Sequence, residues 1–403
     1  MEKALVVVSA TLFVWGLVSL RAQRADLTPP IVFITIGALL AWTGLVDGLD
    51  AVDGLTPLVE VTLVWVLFSD AARLPLAELR QDVGSYVRLL GIGLPLTILL
   101  GWGLAAWFFP ELGIWLALFI GAALAPTDAA LGVPVVTNPA VPRRIRELIT
   151  VESGLNDGIA TPVVMVAIAG AAAAAGLEAE EGAMGAVIQL ALGTVIGALI
   201  GAVGGWLLRQ ARRRGFAGEE FTGIAVLALA LLSYTAAVTL DANGFVAAFC
   251  GGLAFGATAG RRAPEELGFL EQMGSLVSLL VWLAFGLIAI PIMVERLSVL
   301  TVLYAVLSLT VVRMVPVALA LVGARLGRDT VLFVGWFGPR GLASLVFALL
   351  GLEALGGEAD EAVAVIAVTV LLSVVAHGFS AAPLAARYGR AARSTSADEP
   401  THS

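Results

Sequence analysis

The chain has 403 residues, of which 59% are hydrophobic and only 13% are charged. Soluble domains carry about 25% charged residues, so this composition excludes an ordinary water-soluble fold and points to an integral membrane protein. A formal net charge of −8, with no basic aromatic-rich face and no Gly-Lys-Ser/Thr phosphate loop, argues against nucleic-acid and nucleotide partners and suits a cation-attracting surface.

About 20 apolar residues span a bilayer as a helix. Thirteen segments are predicted, near 4–20, 29–46, 55–72, 87–109, 112–133, 152–176, 184–208, 221–240, 243–259, 270–293, 298–322, 330–352 and 361–386. The first is not a signal peptide, because its stronger positive charge (Arg21, Arg24) follows the apolar run and no small-residue cleavage site is seen. Loop charge tests the count independently. Arg21/Arg24, Arg73/Arg80, Arg143/Arg144/Arg146, Arg209/Arg212/Arg213/Arg214, Arg261/Arg262 and Arg325/Arg328 follow the odd-numbered segments, and Arg387, Arg390 and Arg393 follow the last. The alternate loops hold Asp47/Asp50/Asp53, Glu111, Glu178/Glu180/Glu181, Asp241 and Glu353/Glu358/Asp360, with Arg296 beside Glu295 as the one exception. A miscounted helix would break this alternation. The expectation is an all-α polytopic protein, N-terminus outside and C-terminus cytoplasmic, with one membrane domain over residues 1–393 and a disordered tail over 394–403.

Within the seventh segment Gly193, Gly197, Gly201 and Gly205 form a ridge that permits close helix approach, in the monomer or against a second copy. The single Cys250 excludes an intramolecular disulfide and reads as a small core residue.

Acids in these segments are candidates for function. A carboxylate at bilayer depth costs roughly 2.5–3.5 kcal/mol on insertion scales. Ser153, Asn156 and Asp157 share a helix face at i, i+3 and i+4, which makes a partial oxygen shell for a hard monovalent cation. An N-terminal cap would explain Ser153 and Glu152, but not Asn156 and Asp157 a turn deeper. Thr127 and Asp128 follow Pro126 late in the fifth segment, where a broken helix would expose carbonyls; the alternative is a helix that simply ends there. Gly335, Gly338, Pro339 and Gly341 predict a second interruption, in the twelfth segment, around Arg340. An intramembrane Arg needs an acid, and Glu152 is the expected partner of Arg340, leaving Asp157 free to titrate. Arg313 has no evident partner. Asp70, read alone, is an interfacial acid paired with Arg73. His377 reads as a hydrogen-bonded structural histidine whose removal leaves exchange largely intact.

Pro126-Thr127-Asp128, Val141-Pro142-Arg143-Arg144, Glu152-Ser153-x-x-Asn156-Asp157-Gly158, Gly244-Phe245-x-Ala247, Gly338-Pro339-Arg340-Gly341 and His377-Gly378-Phe379 together resemble the NhaP-like branch of the monovalent cation:proton antiporters. The resemblance covers essentially the whole chain. It implies an inverted-repeat fold with crossing interrupted helices 5 and 12, a six-helix core moving against a dimerisation domain, and a homodimer in a prokaryotic plasma membrane. It assigns Na+ to the Thr127 backbone, the Ser153 side chain and the Asp157 carboxylate, with Asp128 at the crossing and Asn156 beside the site. It pairs Glu152 with Arg340, and gives Asp70 a water-mediated part. The Asn156-Asp157 pair is tied by the resemblance to electroneutral exchange of one cation for one proton.

The expected function is therefore sodium/proton antiport, with H+ and Na+ competing for Asp157. Potassium/proton antiport is the alternative, and a cation channel or a membrane-embedded enzyme is disfavoured because the acids cluster in one place without a His-rich ligand set. No cofactor is expected.

Overall fold

The structure is a computed structural model that describes residues 2–24, 28–43, 48–74, 79–128, 131–177, 183–260 and 263–397. The predicted acidic run Glu178/Glu180/Glu181, the basic pair Arg261/Arg262 and the end of the tail, 398–403, lie outside the described residues.

Every described element is helical, and the helices follow the thirteen predicted segments in order. They are α1 (Glu2–Arg24), α2 (Pro29–Thr43) and α3 (Gly48–Ala72), then α4 in two parts, Leu79–Arg88 and Leu94–Phe108, joined by a π-helical turn at Leu89–Gly93. The fifth is α5 (Gly113–Ala123), whose continuation after a break is the single turn Val133–Val136. Next come α6 (Arg143–Ala174), α7 (Ala183–Arg213), α8 (Glu219–Thr239), α9 (Gly244–Ala259) and α10 (Ala263–Glu295). The eleventh, α11, is Val299–Leu307 and Arg313–Ala320 with a π-helical turn at Ser308–Val312 between them. The twelfth is split into α12a (Arg328–Trp336) and α12b (Leu342–Leu355), and α13 is Asp360–Ala397. Seven apolar stretches among the described residues are long enough to cross a membrane; the longest, Leu342–Arg390, holds α12b and most of α13, turned at Gly356 with φ +54°. Four shorter ones correspond to α1, α2, α5 and α9.

Several basic residues at helix ends have partners on neighbouring helices. Arg144 Nε binds Asp82 Oδ2 at 2.6 Å, Arg212 donates to the Ala259 carbonyl at 2.8 Å, and Arg73 pairs with Glu271. Arg296, the exception to the charge rule, lies 3.7 Å from Asp360.

The Gly193–Gly205 ridge is explained inside the monomer. A Cβ on Gly193, Gly197 or Gly201 would come within 2.4, 2.1 and 2.0 Å of the carbonyl oxygens of Asn243, Ala247 and Gly251 on α9. The two helices therefore touch backbone to backbone, where side chains would hold them apart. The first half of α13 is apolar all round and buried almost completely from Ala362 to Val370, packed against α5, α10, α11 and α12b.

Among the boundaries that differ from the sequence reading, two change how particular residues are placed. The helix α6 begins at Arg143, so the basic run occupies its first turn, held by Arg144–Asp82 and by Arg143 with Glu147. Ser153 is consequently three turns inside the helix and caps nothing. The helix α13 continues to Ala397, through the first residues of the expected tail.

Candidate functional site: a paired and an unpaired carboxylate at two helix breaks

Two chain breaks face each other. The fifth helix stops at Ala123, and Leu124 to Asp128 run on outside the helix; the twelfth stops at Trp336 and resumes at Leu342. Backbone groups freed by a break at membrane depth need partners other than water, and here the two breaks satisfy each other. The Asp128 N–H donates to the Pro339 carbonyl at 2.8 Å. The Asp128 carboxylate accepts the Leu342 N–H at 2.9 Å and so caps the start of α12b. Gly341 is required there, because a Cβ would sit 2.0 Å from Asp128 Oδ2. From α12, Arg340 Nη1 donates to the carbonyls of Ala125 at 2.6 Å and Pro126 at 3.0 Å.

The helix α6 supplies the remaining groups. The Asn156 amide donates to Thr127 Oγ1 at 2.7 Å, Thr127 Oγ1 lies 2.9 Å from Ser153 Oγ, and the Thr127 N–H reaches Asn156 Oδ1 at 3.3 Å. Thr127 is thus brought to Ser153 and Asn156, which share one face of α6. Asp157, the next residue, is 7% exposed, and its Oδ1 has no hydrogen-bond partner among the described residues. The charges of Asp70 and Asp128 lie within electrostatic reach of it. A buried carboxylate oxygen left unsatisfied carries a penalty of several kcal/mol unless a proton or a cation neutralises it.

Five residues earlier on the same helix the outcome is the reverse. Glu152 is 3% exposed and receives two bonds from one guanidinium, Arg313 Nη1 to Oε1 at 2.6 Å and Nη2 to Oε2 at 2.9 Å. The sequence reading paired Glu152 with Arg340; the structure replaces that partner with Arg313. Arg340, fully buried, spends its Nη1 on the carbonyls of the α5 break. Arg313 follows the π-helical turn Ser308–Val312 and is buried, and a Cβ on Gly338 would meet Arg313 Nε at 2.3 Å. The Gly338-Pro339-Arg340-Gly341 motif therefore makes room for one arginine while presenting another.

Asp70 keeps an electrostatic link to its expected partner Arg73 but not a direct ion pair. Arg73 pairs with Glu271, whereas Asp70 is half-buried beside α6, with its Cβ 3.7 Å from where a Cβ on Gly154 would lie.

Residues 7–387 match the family described as sodium/hydrogen exchanger, transmembrane. The chain belongs to the sodium/hydrogen exchanger family. Among its relatives, a probable Na+/H+ antiporter of Schizosaccharomyces pombe is 26% identical over 320 residues, 73% of this chain and 40% of that protein. The K+/H+ antiporter NhaP of Alkalimonas amylolytica is 25% identical over 397 residues, 94% of this chain and 66% of that protein. The chain spans only about half the length of several curated relatives it matches, 51% for the K+/H+ antiporter NhaP2 of a Shewanella strain. The solved structure of the sodium proton antiporter MjNhaP1 from Methanocaldococcus jannaschii superposes with a TM-score of 0.80 at 17% identity, covering 94% of this chain and 99% of that one. This exchanger-family chain thus has the antiporter fold and is a multi-pass membrane protein of a transporter family.

In this chain two further polar residues touch the breaks. Ser373 and His377 of α13 bind the α12 break at Arg340 and Trp336. Arg313 was visible in the sequence as an intramembrane arginine, but nothing in its surroundings distinguished it from Arg340 as the partner of Glu152.

Proposed function

We propose that the chain is a secondary antiporter exchanging a monovalent cation, Na+, for H+, with Asp157 as the group both ions share. The observation that carries this reading is the buried Asp157 carboxylate, with one oxygen unpartnered among the described residues, one residue from a hydrogen-bonded cluster of Thr127, Ser153 and Asn156. A cation seated there would draw on the Asp157 carboxylate, the Ser153 hydroxyl and the Thr127 backbone, all hard oxygen donors suited to Na+. Glu152 is neutralised by Arg313 and takes no part in ion exchange. Asp128 is engaged with the start of α12b and holds the crossing.

One carboxylate accommodates a proton or a cation, and binding of either removes the cost of moving it through the hydrocarbon. If only the neutralised site crosses, each turnover carries a cation one way and a proton the other. Asn156, being neutral, adds no second titrating charge, which makes the exchange electroneutral. The core moves against a dimerisation face in a homodimer in the cell membrane, with the basic loops on the cytoplasmic side.

The names of the bacterial relatives favour K+ as the second reading. Proteoliposomes carrying an internal pH dye, challenged in turn with Na+, Li+ and K+, test both. Dequenching by Na+ in wild type and none in Asp157→Asn supports the proposal, and a response to K+ alone moves it to the second reading. Activity driven by membrane voltage alone contradicts the electroneutral stoichiometry.

A further inference from the structure

The segment 337–341 lies outside any helix, and α13 holds both of its ends. Ser373, His377 and Ser380 fall on one face of α13 at successive turns. Ser373 Oγ accepts the Arg340 backbone N–H at 2.7 Å. His377 Nε2 donates to the Trp336 carbonyl at 2.9 Å, and the two rings stack with centroids 5.1 Å apart. The Trp336 indole N–H donates to Ser380 Oγ at 2.9 Å. Ser373 and His377 also touch, with Ser373 Oγ 3.2 Å and the Ser373 carbonyl 2.9 Å from His377 Nδ1. The charged groups whose fields reach His377 are Arg340 of α12 and Arg313 of α11.

Satisfying orphaned backbone groups is a structural role, and it would explain one such bond. What goes further is where the held segment leads. Arg340, fixed by its own N–H on Ser373, extends its guanidinium to the carbonyls of Ala125 and Pro126, the two residues before Thr127. The neighbouring Pro339 carbonyl receives the N–H of Asp128, the residue after Thr127. Thr127 is therefore held on both sides by a segment whose position is set from α13.

We propose that Ser373 and His377 are positioning residues for the cation site: they set the α12 break, and through Arg340 and Pro339 the placement of the Thr127 backbone. This rests on the antiporter reading of Asp157. The consequence is specific. Loosening the clamp weakens cation binding at the site while leaving the Asp157 carboxyl free to take a proton. Cation affinity then falls relative to proton affinity, so protons outcompete the cation at lower concentration and the acid limb of the rate–pH profile moves to higher pH.

The test is exchange by purified protein in proteoliposomes, with Na+ titrated at several pH values. Ser373→Ala is expected to raise the apparent KM for Na+ about tenfold at a maximal rate within about twofold of wild type. Its acid limb, read at a fixed Na+ concentration below the KM, should shift by about one pH unit to alkaline. Ser373→Thr keeps the hydroxyl and should restore wild-type values, and His377→Gln, which keeps an N–H for the Trp336 carbonyl, should fall between His377→Ala and wild type. Should Ser373→Ala fail to fold, the two His377 variants carry the same comparison. A purely structural role lowers the melting midpoint and the number of active transporters, so that maximal rate falls while KM and the acid limb stay put; that result overturns the proposal. Asp157→Asn in the same preparation separates the two levels. Normal exchange by that variant removes the antiporter reading itself, whereas its inactivity with an unmoved KM in Ser373→Ala removes only the clamp.

Discussion

Glu152 and Asp157 are carboxylates on the same helix, five residues apart, and both are buried. One receives a two-bond guanidinium from Arg313; the other keeps an oxygen without a partner among the described residues. Burial alone, then, does not mark a transport residue. A buried acid that the fold has already neutralised is part of the scaffold, and one that the fold leaves unsatisfied must be neutralised by something that comes and goes.

The largest effect expected from this contrast is at the unpaired acid. Asp157→Asn keeps shape and removes charge, and should lower exchange at least about 100-fold without loss of folded protein; retention of even a tenth of the rate in dye-loaded proteoliposomes would erase the distinction. At the paired acid the effect should appear in stability. Removing one partner of a buried pair costs about 3–5 kcal/mol, whereas replacing both with apolar groups is close to neutral. Glu152→Leu and Arg313→Met should each destabilise the protein in detergent unfolding, and the double variant should recover most of the loss. A cycle that instead couples Glu152 to Arg340 would return the pairing first read from the sequence.

That misassignment is instructive. Both arginines lie in apolar segments, and Arg340 stands in a Gly/Pro-rich break that draws attention to it, so the sequence offers no means of ranking them. Arg313 directly follows a π-helical turn at Ser308–Val312, which the sequence reading did not anticipate. By contrast, the meeting of Thr127 with Ser153 and Asn156 was legible: spacing put Ser153 and Asn156 on one face of α6, and the family resemblance placed Thr127 with them. The thirteen helices in order were legible for the same kind of reason, since apolar length and alternating loop charge are independent signals that agree. The glycine ridge was readable as a packing surface, but its partner α9 was not, because close approach needs only small residues and many faces supply them. The start of α6 was misplaced because Arg143 to Arg146 read as loop charge, although Asp82 supports them as a helical first turn.

Smaller perturbations sharpen the comparison at the crossing. Gly341→Ala would drive a Cβ into the Asp128 carboxylate and should cost about 1–3 kcal/mol of stability. Because that carboxylate caps α12b, the variant should lose exchange as well, measured on the folded fraction. Ser153→Ala removes one oxygen from the cation site and should weaken Na+ about tenfold, roughly 1.4 kcal/mol, with the maximal rate nearly unchanged. An unchanged KM would take Ser153 out of the site.

The most direct measurement of the central claim is the apparent Na+ affinity of the wild-type protein as a function of pH. If proton and cation share Asp157, the apparent KM for Na+ should rise about tenfold for each pH unit on the acid side, while the maximal rate at saturating Na+ stays constant. An apparent KM independent of pH, with a maximal rate that falls instead, would mean that the two ions bind at separate groups and would contradict the account.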